Sequence, residues 1–432
     1  MRRKGSSLIV VYLVAVVLTV LSSSFGLKII SERNLGERNK YILQALYLAE
    51  AGLDRGLVWL RDQPSPPSGT VPISPSQLQN VELEIGSFSV TIDPYDNNPQ
   101  SYLNRYRIIS TGEVEGIQRE LTLDVMMDIF ARYAYFTDDE HLRWGRWKIP
   151  VWFTGGDHIN GPTQTNSHLH IYEDPVFDGE VKTADDFMYY YHDGYIYSYP
   201  PGFPTTDNPH FNQGIILGED VLNMPSKALD LRTAAVHGGL HLEGNTTIVL
   251  KDDGTMLITN AQKGWNEENI SLPSNGALFV TGGNVYIKGI LKGQLSIGTN
   301  KDIVIIDDIL YADDPRNNPQ STDTLGLIAE KDVVIDKDAP YNLEIHASIM
   351  ALGDSFVVEN WWQGPPKGTL TVLGGIIQKE RGPVGTFNGS TGEKLSGYSK
   401  NYIYDTRLLN QQHPPYYPST GDYVVVLWKE NT

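Results

Sequence analysis

The residues best suited to chemistry in this chain are a few histidine pairs, some acidic clusters and one tryptophan pair. His168-x-His170 would lie on one face of a strand, and His237 with His241 could do the same. Two imidazoles at strand spacing are a start towards a metal site, but zinc needs three or four converging ligands, so no metal is expected. Asp252-Asp253-Gly254 and Asp313-Asp314 suit turns better than calcium loops, because no Asp-x-Asp-x-Asp-Gly ladder is present. Asp138, Asp139 and Glu140 could supply an acid and a base for sugar cleavage. Adjacent carboxylates more often form a solvated turn. Trp361-Trp362, in a Gly- and Pro-rich stretch, is the candidate ligand contact, since paired indoles stack on sugar faces. The chain contains no Walker loop, nucleophile elbow or His-Glu-x-x-His. With no cysteine among 432 residues, thiolate catalysis, disulfides and Cys-ligated metals are excluded. No cofactor is expected.

What must position these residues is a β-rich body. Gly 41, Pro 25 and Tyr 24 suit a turn-rich β protein. Net charge is −18, and nine basic against four acidic residues in 1–61 leave the remainder strongly acidic, so nucleic-acid binding is not expected. After a Pro-rich linker at 62–75, Val81, Leu83 and Ile85 alternate, as do Phe88, Val90 and Ile92, which predicts a hairpin turning at Gly86-Ser87. A second pair is predicted from Tyr106–Thr111 and Leu121–Val125. Further on, Leu278–Ile287 recurs at Leu295–Ile305, at Leu325–Ile335 and, more loosely, at Ser348–Val358. Val285, Ile303, Val333 and Phe356 are the equivalent positions. Two short β runs per copy, with loops of varying length between them, fit coils of a parallel β-helix. Antiparallel sandwich strands are the alternative, since short apolar runs do not reveal pairing direction.

The N-terminus differs from all of this. Arg2, Arg3 and Lys4 precede an uncharged run from Gly5 to Leu27, long enough for a helix of about 35 Å. The basic triplet keeps the N-terminus cytoplasmic and directs the rest outward. A cleaved secretory signal is the alternative. Beyond Lys28, Ile42, Leu46, Ala49, Leu53, Leu57 and Leu60 form an apolar helical stripe, and no proline intervenes before Pro64. One helix of more than 50 residues is predicted, with Gly26, Gly36, Gly52 and Gly56 as candidate bends.

Arg2-Arg3-Lys4-Gly5, the apolar Ser6–Val11 and the later Gln44–Leu53 together resemble type IV prepilin-like proteins, specifically the PilX N-terminal type of minor pilin. The runs Tyr133–Asp138, Trp152–Pro162, Thr165-Asn166, Pro175–Val181 and Tyr404–Leu408 resemble a pilus-associated domain of uncharacterised function. The resemblance implies cleavage by a prepilin peptidase between Gly5 and Ser6, with methylation of Ser6. It also implies an assembly helix carrying Val10, Ile42, Leu46, Ala49, Glu50 and Leu53. Ser6 replaces the usual Phe, and Val10 stands where most pilins carry Glu. A buried carboxylate at that depth pairs with a neighbour's amine, so Val10 suits an end component better than a shaft subunit.

The expected fold is mainly β with one long N-terminal α-helix, a small pilin-like antiparallel sheet and a parallel β-helix-like domain. The expected divisions are a leader at 1–5, a transmembrane and amphipathic helix at 6–61, a small antiparallel domain at 62–130 and the β-helix-like domain at 131–432. The expected function is that of a non-enzymatic minor pilin or pilin-like component of a type IV pilus or related assembly. It would be anchored in the inner membrane through residues 5–27, with its head outside the cytoplasm. Its expected partners are the peptidase, other minor pilins or pseudopilins and a surface or polysaccharide ligand. The alternative is a membrane-anchored β-helix enzyme acting on extracellular polysaccharide.

Overall fold

The structure, a computed structural model, describes residues 6–63, 66–67, 69, 71–95, 104–192, 195–200, 207–388, 391, 393–410 and 412–431. The leader at 1–5, with Gly5, lies outside them, as does Pro64. The chain forms two compact units, Met1–Met127 with Asp422–Thr432, and Asp128–Gly421. The expected boundary at residue 130 thus differs in one respect: the last residues return to the first unit. Their strand, Ser419–Asn431, lies beside Ile117–Ile129 in the sheet order. Arg119–Glu430 and Arg61–Asp422 ion pairs, at 2.5 and 2.6 Å, tie it in place.

In the first unit, α1 (Ser6–Arg61) is one continuous helix. Residues 8–40 are exposed along their whole length, and the uncharged part up to Leu27 is long and apolar enough to cross a membrane. The rest lies on a sheet ordered β1 (Val81–Leu83), β2 (Gly86–Asp93), β3 (Arg105–Val114), β4 (Ile117–Ile129) and the C-terminal strand. Alternation puts Phe88, Val90 and Ile92 of β2 and Tyr106 and Ile108 of β3 on the buried face. The β1–β2 turn falls at Glu84-Ile85, not at the expected Gly86-Ser87, because Leu83 pairs with Gly86. The β3–β4 turn uses Glu115 and Gly116, both with positive φ, as a two-residue primed turn requires.

The helix meets this sheet through its smallest residues. Ala45, Leu48, Ala49, Leu53 and Leu60 are buried, while Ile42, Leu46 and Leu57 are only partly covered, so the contact face centres to one side of the expected stripe. Gly52 and Gly56, two of the candidate bends, face the sheet. A Cβ on Gly52 would strike the Ser110 hydroxyl, and one on Gly112 of β3 would overlap the Ala45 carbonyl and the Ala49 amide. Close approach of backbone to backbone is what these glycines provide.

The second unit is built from parallel stacks. One contains, in spatial order, Leu240–Glu243, Ala277–Thr281, Gln294–Thr299, Thr324–Ala329, Leu343–Ala351, Pro366–Glu380, Tyr135–Asp139, Thr163–Thr165, Val181–Thr183 and Ile215–Leu217. In a second, Val285 pairs with Ile303, Ile303 with Val333 and Val333 with Phe356, the four positions the sequence repeat equates. A third carries Ile309, Ile345, Val372, Tyr402, Ile159, Phe177 and Phe211. Pairing between these coils is parallel, so the sandwich alternative does not describe them. The β-helix-like coils also begin much earlier than the repeat visible in sequence.

Chain order and spatial order differ in these stacks. The chain enters in the middle at Tyr135, proceeds to one end at Leu217, and reappears at the opposite end at Leu240. The connecting segment runs back along the stack: Lys182 bonds Glu219, Asn166 exchanges two hydrogen bonds with Leu222, and Glu330 accepts from the Ala228 amide. A short helix, α2 (Leu229–Val236), completes the return. Along one corner, Asn245, Asn284, Asp302 and Asp332 each accept a hydrogen bond from a backbone N–H of the next coil. Burial pushes Asp332 up to about 6, the Ser355 N–H opposes this, and the charges of Asp354 and Asp302 add to it.

Candidate functional site: a histidine cluster beside an aromatic cleft

Thr137, Thr165 and Thr183 occupy one register position on three successive coils. Neighbouring coils are about 4.8 Å apart, so residues leaving the strands just after these threonines are brought together. After Thr137 come Asp139 and His141, after Thr165 come His168 and His170, and after Thr183 come Asp185, Phe187 and Tyr189. Each coil makes an excursion here: a hairpin of His141–Trp144 with Trp147–Pro150, the strand His170–Ile171, and the hairpin of Met188–His192 with Tyr195–Tyr199.

His141, His168 and His170 converge, one ring nitrogen from each lying within 4.8 Å of the others. Their ring centroids are 4.7 to 5.7 Å apart and the rings are nearly perpendicular, at 81 to 89°. His141 Nδ1 lies 2.7 Å from Asp139 Oδ1, and His168 Nδ1 lies 2.7 Å from Asp185 Oδ2. His170 is buried, stacks on Tyr189 at 5.4 Å and contacts Trp152. Burial first, then the nearby His141, His168 and Arg381, push its imidazole down to about 2, so it is neutral. Burial alone would raise Asp139, but hydrogen bonds from His141 and Lys148 outweigh it and hold the carboxyl below its usual range.

Beneath this corner is a buried ion pair. Arg381 Nη1 donates to Glu140 at 2.8 Å and to the Val151 carbonyl at 2.9 Å, and its Nη2 donates to the Trp152 carbonyl. Of the acidic run expected to form a solvated turn, Glu140 is fully buried, Asp139 carries His141, and Asp138 is paired with Lys379.

Next to the cluster is a cleft of about 520 Å³ walled by Trp152, Tyr172, Tyr191, Trp361, Phe387 and Tyr398. The Asp157–Lys400 pair, at 2.6 Å, also lines it. Trp361 is therefore on the cleft wall. Trp362 packs edge-on against it at 5.4 Å but does not line the cleft. His237 is exposed and bonded to the Thr233 carbonyl, while His241 bonds Thr281, so that pair does not converge. On α1, Val10 is exposed, Ile42, Leu46 and Glu50 are half-buried, and Ala49 and Leu53 are buried against the unit's own sheet. Ser6 is the first described residue of the helix.

Sequence reading identified His168 and His170, and Asp139 only as a candidate acid or base, but missed His141 and Asp185. The available signal was the threonine recurring at the end of each strand, followed within six residues by His or Asp.

A domain family of unknown function, DUF4900, matches residues 101–185, a stretch that holds all three histidines. No curated protein matches the sequence. Among solved structures, the competence-associated pilin ComZ from Thermus thermophilus aligns over 90% of this chain and 97% of its own, at 12% identity and a TM-score of 0.33. A score of that size does not establish a common fold.

Proposed function

We propose that this chain is a pilin-like component of a type IV pilus or related assembly, of the PilX minor type. It is held in the cytoplasmic membrane by α1 and presents the second unit outside the cytoplasm as a binding head. The observation that carries this reading is the division of α1 into a bare stretch at 8–40, uncharged as far as Leu27, and a half sealed onto its own small sheet. An enzyme that only needed anchoring would require a span, not a 56-residue helix whose end is the core of a separate unit. On this reading the leader is cut between Gly5 and Ser6 by a prepilin peptidase, Ser6 is methylated, and exposed Val10 marks an end component.

The head's contact surface is the aromatic cleft, with Trp152 and Trp361 suited to stacking on a polysaccharide. Its Asp157 accepts from Lys400 and from the Thr154 amide, a role in holding shape rather than moving a proton. This favours contact over catalysis.

Intact-mass analysis of the protein from its native membrane tests the reading. The expected mass lacks residues 1–5 and carries one added methyl group. A mature start near Phe25 would identify an ordinary secretory signal and refute it.

A further inference from the structure

We propose that His141, His168 and His170 form a binding site for a divalent transition-metal ion of the zinc class, with the fourth coordination position open. The cluster is the one group of three or more convergent metal-ligating side chains among the described residues. Three features beyond proximity point to a cation.

First, the histidines are oriented as ligands. Asp139 and Asp185 each engage an Nδ1, which fixes the tautomer and leaves the Nε2 lone pair of His141 and of His168 for the centre. A carboxylate behind a ligating imidazole is the usual outer partner of zinc, and it raises the basicity of the ligand. Here two of the three histidines have one.

Second, two ring nitrogens are buried without a hydrogen-bond partner: His168 Nε2 and His170 Nδ1. A buried acceptor left unpaired is costly, so two such atoms in a cluster of converging imidazoles call for a shared partner. The rings of Phe187, Tyr189 and Trp152 pack around the cluster without giving either nitrogen a hydrogen-bond partner. A cation accepts all three lone pairs at once.

Third, the spacing is right. Tetrahedral zinc at 2.0–2.1 Å places its nitrogen ligands about 3.3 Å apart. Nitrogens already within 4.8 Å reach this by small ring rotations. The second-coil strand bearing His170 is anchored by parallel pairing to Tyr189, and the hairpin bearing His141 is pinned from below by Arg381. The ligands thus come from two separate excursions, and the ion would clip one to the other.

The test uses untagged full-length protein in detergent, equilibrated with zinc, freed of unbound metal and analysed by elemental mass spectrometry. About one zinc per chain is expected, falling at least tenfold in His141→Gln and in His168→Gln and unchanged in His237→Gln. Asp185→Asn removes only the carboxylate behind His168, on a half-exposed side chain, and should weaken zinc about 10–100-fold while the circular dichroism stays the same. Cobalt in place of zinc should give the intense visible absorption of a tetrahedral site. Less than a tenth of an equivalent in the wild-type protein, or one equivalent retained in both His141→Gln and His168→Gln, would overturn the proposal. The result is independent of the pilin-like reading, which concerns the N-terminus.

Discussion

Burial turns two carboxylates of the second unit into opposite kinds of residue. Asp332, at about 6 in the folded state against an ordinary 3.8, binds its proton more tightly when folded. Its contribution therefore favours folding below pH 4 and is lost as pH rises to about 6, beyond which it changes no further. Asp332→Asn keeps the acceptor for the Ser355 N–H and should raise stability at pH 7 by about 1–3 kcal/mol while flattening the acid limb. Denaturant titrations at pH 4 and 7 measure this; an unchanged difference between the two pH values would show that Asp332 titrates normally. Glu140, by contrast, has its charge met by Arg381 at 2.8 Å. Removing one partner, as in Arg381→Met, should cost about 3–5 kcal/mol, whereas Glu140→Gln combined with Arg381→Met should recover part of it. Additive losses would mean that the pair does not act as a unit.

At the scale of elements, the helix-on-sheet contact rests on missing side chains. Gly112→Ala would drive a methyl into the Ala45 carbonyl, and Gly52→Leu would displace Ser110, so each should cost about 1–3 kcal/mol or more in thermal unfolding of the first unit. Gly36→Ala, on the bare part of the helix with open space around it, should be neutral or slightly stabilising. Equal effects at positions 36 and 52 would place the contact elsewhere. The length of α1, the strand pairs and the repeat from Leu278 were legible because each rests on local periodicity. Residues 133–217 fall within the expected β-helix-like domain at 131–432, but their individual coils were not legible. Their strands are two to five residues long and separated by excursions, so no periodicity survives, and only stacking aligns Thr137 with Thr165 and Thr183. The histidine site was half legible for the same reason: spacing within a strand can be read, but convergence between coils cannot. Gly52 and Gly56 stand out in sequence only for low helix propensity, while the sheet lying against them, which makes them necessary, is not legible there.

For the whole molecule, size constrains where a pilin-like chain can stand. Shaft helices pack at about 8–10 Å, while the second unit alone, Asp128–Gly421, has a radius of gyration of roughly 19 Å by size scaling. Heads of that size cannot repeat at helix spacing. Quantitative mass spectrometry of purified filaments should find a scarce subunit, and a copy number comparable to the major one would refute an end position.

The order of the stacks adds a temporal constraint. Solenoids in which each repeat touches its chain neighbours can fold progressively as they leave the ribosome. Here Tyr135 pairs with Ile376, and Lys400 bonds Asp157 across 243 positions of sequence. The coils made first have their inner edge capped by coils made last. During vectorial export, residues 135–217 would emerge with that strand edge bare and wait for some 150 further residues before it closes, at ribosomal rates of about 5–20 residues per second. An unpaired edge is a template for aggregation, so the early segment depends on a holding factor, or on slow and late closure, in a way an uninterrupted solenoid would not. A chain stopped after residue 365 should therefore lose protease protection in residues 135–217, far from the missing end in sequence and beside it in space.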